Sequence, residues 1–155
     1  MSLNVPLQKN VTLGRVLERI DASETVQAYW AASNITAIDR LRINDHGPVH
    51  IKIMTNIALK LLRLLVAAGV TPSAVKDHGL RPEDAEVVVV LAAALHDVGH
   101  AIHRLDHEGL SVVLAAPLID EFLADLYDAR TVATLKGEVL HAILTHQRDI
   151  EPLTI

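Results

Sequence analysis

Two stretches of the chain hold the side chains able to do chemistry: Asp45-His46-Gly47-Pro48-Val49-His50 and, roughly 45 residues later, the run from Leu95 to Glu108. The second run carries His96, Asp97, His100, His103, Asp106 and His107. An adjacent His96-Asp97 pair at the end of a long apolar segment, with an isolated His50 upstream and further histidines downstream, is a donor set for a buried divalent cation. The chain has no cysteine, so a bound metal must take imidazole and carboxylate. That donor set admits Mn, Fe, Ni, Co, Zn or Mg, as one ion or two, and its chemistry is metal-assisted hydrolysis.

On a continuous helix His96, His100, His103 and His107 follow one another at four, three and four residues, which places them on one stripe within about 40°. Gly99 interrupts that helix, yet a break there still leaves His96 and Asp97 at a helix end, where side chains converge. Any one of these histidines is as readily an ordinary surface or capping residue; taken together they are better explained by a site. His50 is expected to face inward because Ile53, Ile57, Leu61 and Leu64 extend its side of a helix. His46, beside Asp45 and Gly47, reads equally well as a turn residue or as a ligand. His141 and His146 are five residues apart, roughly 140° around a helix, so one of them faces the site, and His146 is preferred. His78 reads as a solvated loop residue.

The elements that position these groups are helical. Leu13, Val16, Leu17 and Ile20 mark a first helix with Thr12 as N-cap, Ser23 caps a second, and Ile35 to Ile43 extends it until Asn44 to Pro48 breaks the pattern. The longest signal runs from His50 to Ala68, with Ile53, Met54, Ile57, Ala58, Leu61, Leu64 and Leu65 expected inside, Lys52, Lys60 and Arg63 outside, and Gly69 as the stop. Residues 71–81 read as a loop with a short helical piece at Ser73 to Lys76. Pro82, followed by Glu83, Asp84 and Glu86, starts a buried helix through the four valines to His96. Asp106 or His107 opens a further helix to Leu114, Pro117 starts or kinks the next, Leu118 to Tyr127, and Thr131 to Thr145 forms the last. The fold class is therefore all-α: a compact helical bundle with a short N-terminal helical segment over 1–45 and the metal-binding part over 46–155.

Composition narrows the partners. With 155 residues, half of them apolar, the chain can bury a core as a single globular unit. A net charge of −5 and the lack of a basic run argue against nucleic acid. No apolar run is long enough for a membrane span and no basic-then-apolar leader opens the sequence, so a cytoplasmic location is expected. The aromatic residues Tyr29, Trp30, Phe122 and Tyr127 read as core rather than as base-stacking platforms. The apolar content and the Ala/Leu-rich stretch Leu110 to Leu118 lead to an expected homodimer.

His50, then His96-Asp97 at the end of an Ala/Val/Leu helix within Leu95-His96-Asp97-Val98-Gly99-His100, resembles the HD-domain superfamily of metal-dependent phosphohydrolases, from about residue 46 onward. The resemblance implies an HD-type helical bundle and the ligands His50, His96 and Asp97, with His107 and His146 joining a second ion or the phosphate. It implies catalytic roles for Asp97, which ligates and orients the attacking water, and for His100, which contacts the phosphate or protonates the leaving oxygen; His100 and His103 are its candidate substrate contacts. The implied substrate is a small phosphate ester, and a nucleotide is within that class. Two other readings accompany it: a metal- or nucleotide-binding domain without turnover, and a di-iron oxygenase. In one respect the chain departs from the family, whose last ligand is an Asp on a later helix. Here only Asp149 follows His146, in what reads as an exit turn before the sequence ends at Ile155. A truncated C-terminus, a ligand from a neighbouring chain, or an incomplete site are the expectations this leaves.

Overall fold

A computed structural model describes residues 2–147 and 149–154. It is all-helical, with seven α-helices and no strand among the described residues: α1 (Val11–Ala22), α2 (Glu24–Asn34), α3 (Pro48–Ala67), α4 (Ser73–Lys76), α5 (Pro82–Leu95), α6 (His107–Leu123) and α7 (Ala129–Leu144). A π-helical segment, Ile35–Arg40, extends α2, and a 3-10 turn, Val98–Ala101, follows α5. No described helix is long and apolar enough to cross a membrane.

The bundle is organised on α5. Pro82 takes the first helical position, and the Asp84 carboxylate accepts from the Arg81 backbone N–H at 2.9 Å, which caps the start. Asp84 is buried and also accepts from the Tyr127 hydroxyl at 2.8 Å. Four consecutive valines favour a strand by propensity alone, but a segment apolar on every side can be a helix when neighbours cover all of it. They do here: α1, α3, α4 and α7 all pack on α5, and Val87, Val90, Leu91, Ala94 and Leu95 are fully buried. Leu3, Leu13, Val16, Val26 and Trp30 belong to the same core, so the described part of 1–45 packs into it directly.

Against α5 the helix α3 presents Ile51, Thr55, Leu59 and Leu62, not the residues expected from its pattern. Ile53, Met54, Ile57, Leu61, Leu64 and Leu65 are 37% to 57% exposed, and Ala58 is only half-buried. The helix is apolar on two opposite faces, so periodicity identifies a helix without saying which face turns inward. Polar anchors decide it. Asn56 donates to the Leu3 carbonyl at 3.2 Å, and Arg63, expected outside, pairs with Glu86 of α5 at 2.6 Å.

Other boundaries also differ. Asn10 rather than Thr12 caps α1, accepting from Leu13 N–H at 2.9 Å, whereas Ser23 caps α2 as expected. α6 runs unbroken through Pro117. The carbonyl that Pro117 leaves without an N–H partner belongs to Val113, itself 68% exposed, so water can serve it. Of the expected dimer surface Leu110 to Leu118, Ser111, Ala115 and Leu118 are buried, and Val113 and Pro117 are exposed. The continuous histidine helix does not exist. α5 stops at Leu95, the 3-10 turn follows, and α6 starts afresh at His107 after Asp106 in a left-handed conformation, φ 58°.

Candidate metal centre

The end of α5 is held open by α2. Trp30 Nε1 donates to the Ala94 carbonyl at 2.9 Å, satisfying one of the carbonyls that the helix end leaves unpaired, and Ser33 Oγ donates to the Asp97 carbonyl at 3.1 Å, which also accepts from the His100 N–H at 3.0 Å. Asp97 thereby leaves the helix with its side chain buried, 4% exposed, at the focus of the molecule. Gly99 lets the 3-10 turn lie directly on α6: a Cβ there would stand 2.1 Å from the His107 carbonyl oxygen and 2.6 Å from Ser111 N. The Gly99 N–H donates to Ser111 Oγ at 2.8 Å, and this contact brings His107 to Asp97.

Five imidazoles surround the one carboxylate. His50 Nε2 and His96 Nε2 stand 3.3 and 3.0 Å from Asp97 Oδ2; His107 Nε2 and His146 Nε2 stand 3.3 and 3.7 Å from Oδ1, and 3.3 Å from each other. His100 Nε2 is 3.8 Å from Oδ1. Donor atoms sharing an ion at bond lengths of about 2.1 Å lie roughly 3.0 to 3.4 Å apart. The triplets His50-His96-Asp97 and Asp97-His107-His146 each gather their ligand atoms within 4.8 Å; most of the separations above lie in that window, and His146 to Asp97 must close from 3.7 Å. The carboxylate presents one oxygen to each triplet.

The protons argue in the same direction. His96 Nδ1 donates to the Ala93 carbonyl at 2.9 Å, His107 Nδ1 to Arg104 O at 3.1 Å, and His146 Nδ1 to Ile143 O at 2.5 Å. A backbone carbonyl thus fixes each ring with its proton outward and its Nε2 lone pair toward an acceptor-only carboxylate. Lone pairs facing lone pairs require protons or a cation between them, and His50 Nε2 is a buried atom with no hydrogen-bond partner among the described residues. Burial pushes the Asp97 carboxyl up, but the facing imidazoles of His107, His146, His50 and His96 outweigh it and hold Asp97 well below the usual carboxylate range. His100, its side chain fully buried, is pushed down to about 3, first by burial and then by His107. It is therefore a neutral imidazole at ordinary pH, a donor or ligand and not an imidazolium acid. Burial lowers His146 while its hydrogen bond to Asp97 raises it more, so its net shift is upward.

These shifts set a stability profile for the metal-free protein. As pH falls from about 6.5 toward 3, the unfolded chain protonates at His100 while the folded one resists, and below about 3.8 the depressed Asp97 acts in the same sense. His146 works at the other side: its contribution is complete below 6.5 and is lost as pH rises through its raised folded value. Thermal melts of chelator-treated protein should peak near neutral pH and fall steadily toward pH 4; a flat profile would contradict the assigned environments.

Of the expected site residues, His50, His96, Asp97, His100, His107 and His146 converge, though not along one helix face. His50 lies in line with Ile53, Ile57, Leu61 and Leu64 as expected, but that stripe is exposed; His50 reaches inward because the start of α3 abuts the end of α5. His103 does not join the cluster. It is exposed, accepts from the Leu105 N–H at 2.9 Å and lines a polar cleft of about 590 Å³ shared by Arg104, His107, Glu108 and Gln147. His46 does join: its Nδ1 donates to Asn44 O at 2.6 Å, its ring is 4.7 Å from that of His100, and it forms a third group with Asp97 and His100. His141 is turned away to accept from Leu153 N–H, His78 pairs with Glu138, and Asp149 is exposed. A second, apolar groove of about 360 Å³, lined by Met54, Ala58, Val89, Ala92, Ala93 and Ala142, opens beside His96 and His146.

The chain is similar to an uncharacterized protein, MJ1020, of Methanocaldococcus jannaschii, with 38% identity over 140 residues. The match takes in 90% of this chain and 54% of that protein, so the chain spans about half the length of the curated relative it matches. No family model matches the chain, and no solved structure matches it.

Proposed function

We propose that the protein is a metal-dependent phosphohydrolase of the HD type, acting in the cytoplasm on a small phosphate ester, a nucleotide being one candidate. The observation that carries this reading is the buried Asp97 carboxylate with an imidazole pair at each oxygen, three of the rings tied at Nδ1 to backbone carbonyls so that Nε2 is free to ligate. His50, His96 and Asp97 would hold one divalent ion, and Asp97, His107 and His146 would hold a second. When bound, such an ion supplies Lewis acidity that brings the pKa of a water toward neutrality and polarises a phosphoryl oxygen. Asp97, ionised throughout the neutral range, accepts a hydrogen bond from that water and orients it. The water oxygen would bond to phosphorus as the ester P–O bond breaks, with one proton of that water passing to the departing alcohol. His100, neutral and buried, donates an N–H to a phosphoryl oxygen.

Metal binding without turnover is the second reading, favoured by one observation: Asp149 is exposed, and no later carboxylate reaches the triplets among the described residues. The assay that separates the two is phosphate release from generic phosphomonoesters with added Mn²⁺. Release abolished by chelation and restored by Mn²⁺ is expected; metal bound in full with no release from any ester would leave the second reading.

Self-association is part of the proposal, through the exposed face of α3 rather than Leu110 to Leu118. Six large apolar side chains there, 37% to 57% exposed, would contribute part of the roughly 800 Å² that a standard interface buries per partner. Leu61→Lys should turn a dimer into a monomer in light scattering without lowering stability, and a monomeric wild-type chain at micromolar concentration would contradict it.

A further inference from the structure

Arg104 is the cation nearest the cluster that sequence reasoning did not single out. Its guanidinium Nη1 donates to His100 Nε2 at 3.1 Å, and it forms no ion pair with any described carboxylate. Glu108 is occupied with His107 Nδ1 at 3.2 Å, while the Asp106 carboxylate lies against Gly109. The Arg104 backbone carbonyl, meanwhile, fixes the tautomer of His107. Arg104 is thus tied at two points to the metal-facing imidazoles while its side chain opens on the polar cleft. A guanidinium that donates to a neutral imidazole, with four further N–H donors unspent, is poised for a dianionic oxygen group. The partner ring carries a second signal. Because Nε2 accepts from Arg104, the His100 proton sits on Nδ1, and that buried atom has no hydrogen-bond partner.

We propose that Arg104 and His100 form the phosphoryl-recognition pair of this site, selecting a phosphomonoester dianion over a diester monoanion. The inference rests on the phosphohydrolase reading for its substrate class and on the contacts above for its residues. The second negative charge of a monoester gives the free guanidinium a charge-assisted, fork-shaped contact that a diester, with one oxygen capped, cannot complete. Charge-assisted hydrogen bonds contribute about 1.5 to 3 kcal/mol, so the loss of Arg104 corresponds to roughly a tenfold to hundredfold weaker dianion.

The test uses non-hydrolysable probes and needs no turnover. Methylphosphonate, a dianion at pH 8.5, and its monomethyl ester, a monoanion, are titrated into the Mn²⁺-loaded full chain, and binding is read from paramagnetic broadening of the ³¹P signal. Wild type should bind methylphosphonate at least tenfold tighter than the monoester of the phosphonate. Arg104→Gln should erase that preference by weakening the dianion alone, and Arg104→Lys should retain part of it. Arg104 is exposed, so both variants keep the fold, which circular dichroism verifies. Equal affinity for the two probes in wild type, no binding of methylphosphonate by wild type, or an unchanged preference in Arg104→Gln would each overturn the proposal. If the preference depends on Arg104 but no ester is ever hydrolysed, the recognition pair stands and the hydrolytic reading fails. If esters are hydrolysed with KM unaltered by Arg104→Gln, the reverse holds.

Discussion

Replacing Asp97 by Ala is expected to strip the protein of metal and of metal-dependent activity while leaving it folded. Each carboxylate oxygen serves a separate imidazole pair at 3.0 to 3.7 Å, so one substitution removes the only anionic donor from both triplets. Loss of mere supporting contacts to a ligand costs 10- to 100-fold in metal affinity, and a shared ligand should cost at least about 100-fold. The fold survives because α2 grips the backbone at this point, through the Asp97 carbonyl, not the side chain. His78→Ala, at an exposed pair with Glu138, is the matched control and should change nothing. Elemental analysis of the two purified variants reads the difference directly. Full metal occupancy and activity in Asp97→Ala would make the His96-Asp97 pair structural.

Gly99→Ala is expected to be the most damaging methyl group that can be added near the site. The new Cβ would meet backbone atoms, the His107 carbonyl oxygen at 2.1 Å and Ser111 N at 2.6 Å, and backbone cannot step aside as a flexible side-chain end can. The 3-10 turn and α6 must separate, breaking the Gly99 to Ser111 hydrogen bond and carrying His107 away from Asp97. Overpacking of this kind costs about 3 kcal/mol or more, a fall of roughly 10 °C in Tm for a chain of this size. Metal affinity should drop along with stability. A variant melting with wild type and binding metal as well would show that the two elements are not in the contact described.

Much of the site was legible because its residues are nearly contiguous. His96, Asp97, His100 and His107 lie within a dozen positions, and their types announce a cation whatever the backbone does between them. The geometry that unites them was not legible. A straight helix predicts one stripe, whereas a helix end, a 3-10 turn and a new helix start deliver the same rings to one carboxylate from different directions. Gly99 is the residue that reconciles the two, since it weakens the helix and also permits the close approach. His46, beside Asp45 and Gly47, reads equally as a turn residue or a ligand, and only the fold, with its Nδ1 on the Asn44 carbonyl and its ring beside His100, brings it to the cluster. His103 failed the other way, sharing the spacing but falling beyond the turn. In α3 the difficulty was an excess of signal: with apolar residues on both faces, Asn56 and Arg63 determined the inner side by reaching partners far away in sequence, and no local pattern encodes those partners.

The central claim is a divalent cation at the buried Asp97, and diffraction from crystals soaked in Mn²⁺, recorded for anomalous scattering, tests it most directly. The account predicts a peak about 2.0 to 2.3 Å from His50 Nε2, His96 Nε2 and Asp97 Oδ2, with a second between Asp97 Oδ1, His107 Nε2 and His146 Nε2 if the carboxylate bridges two ions. No peak among these atoms at millimolar Mn²⁺, or a manganese bound only elsewhere on the molecule, would contradict it.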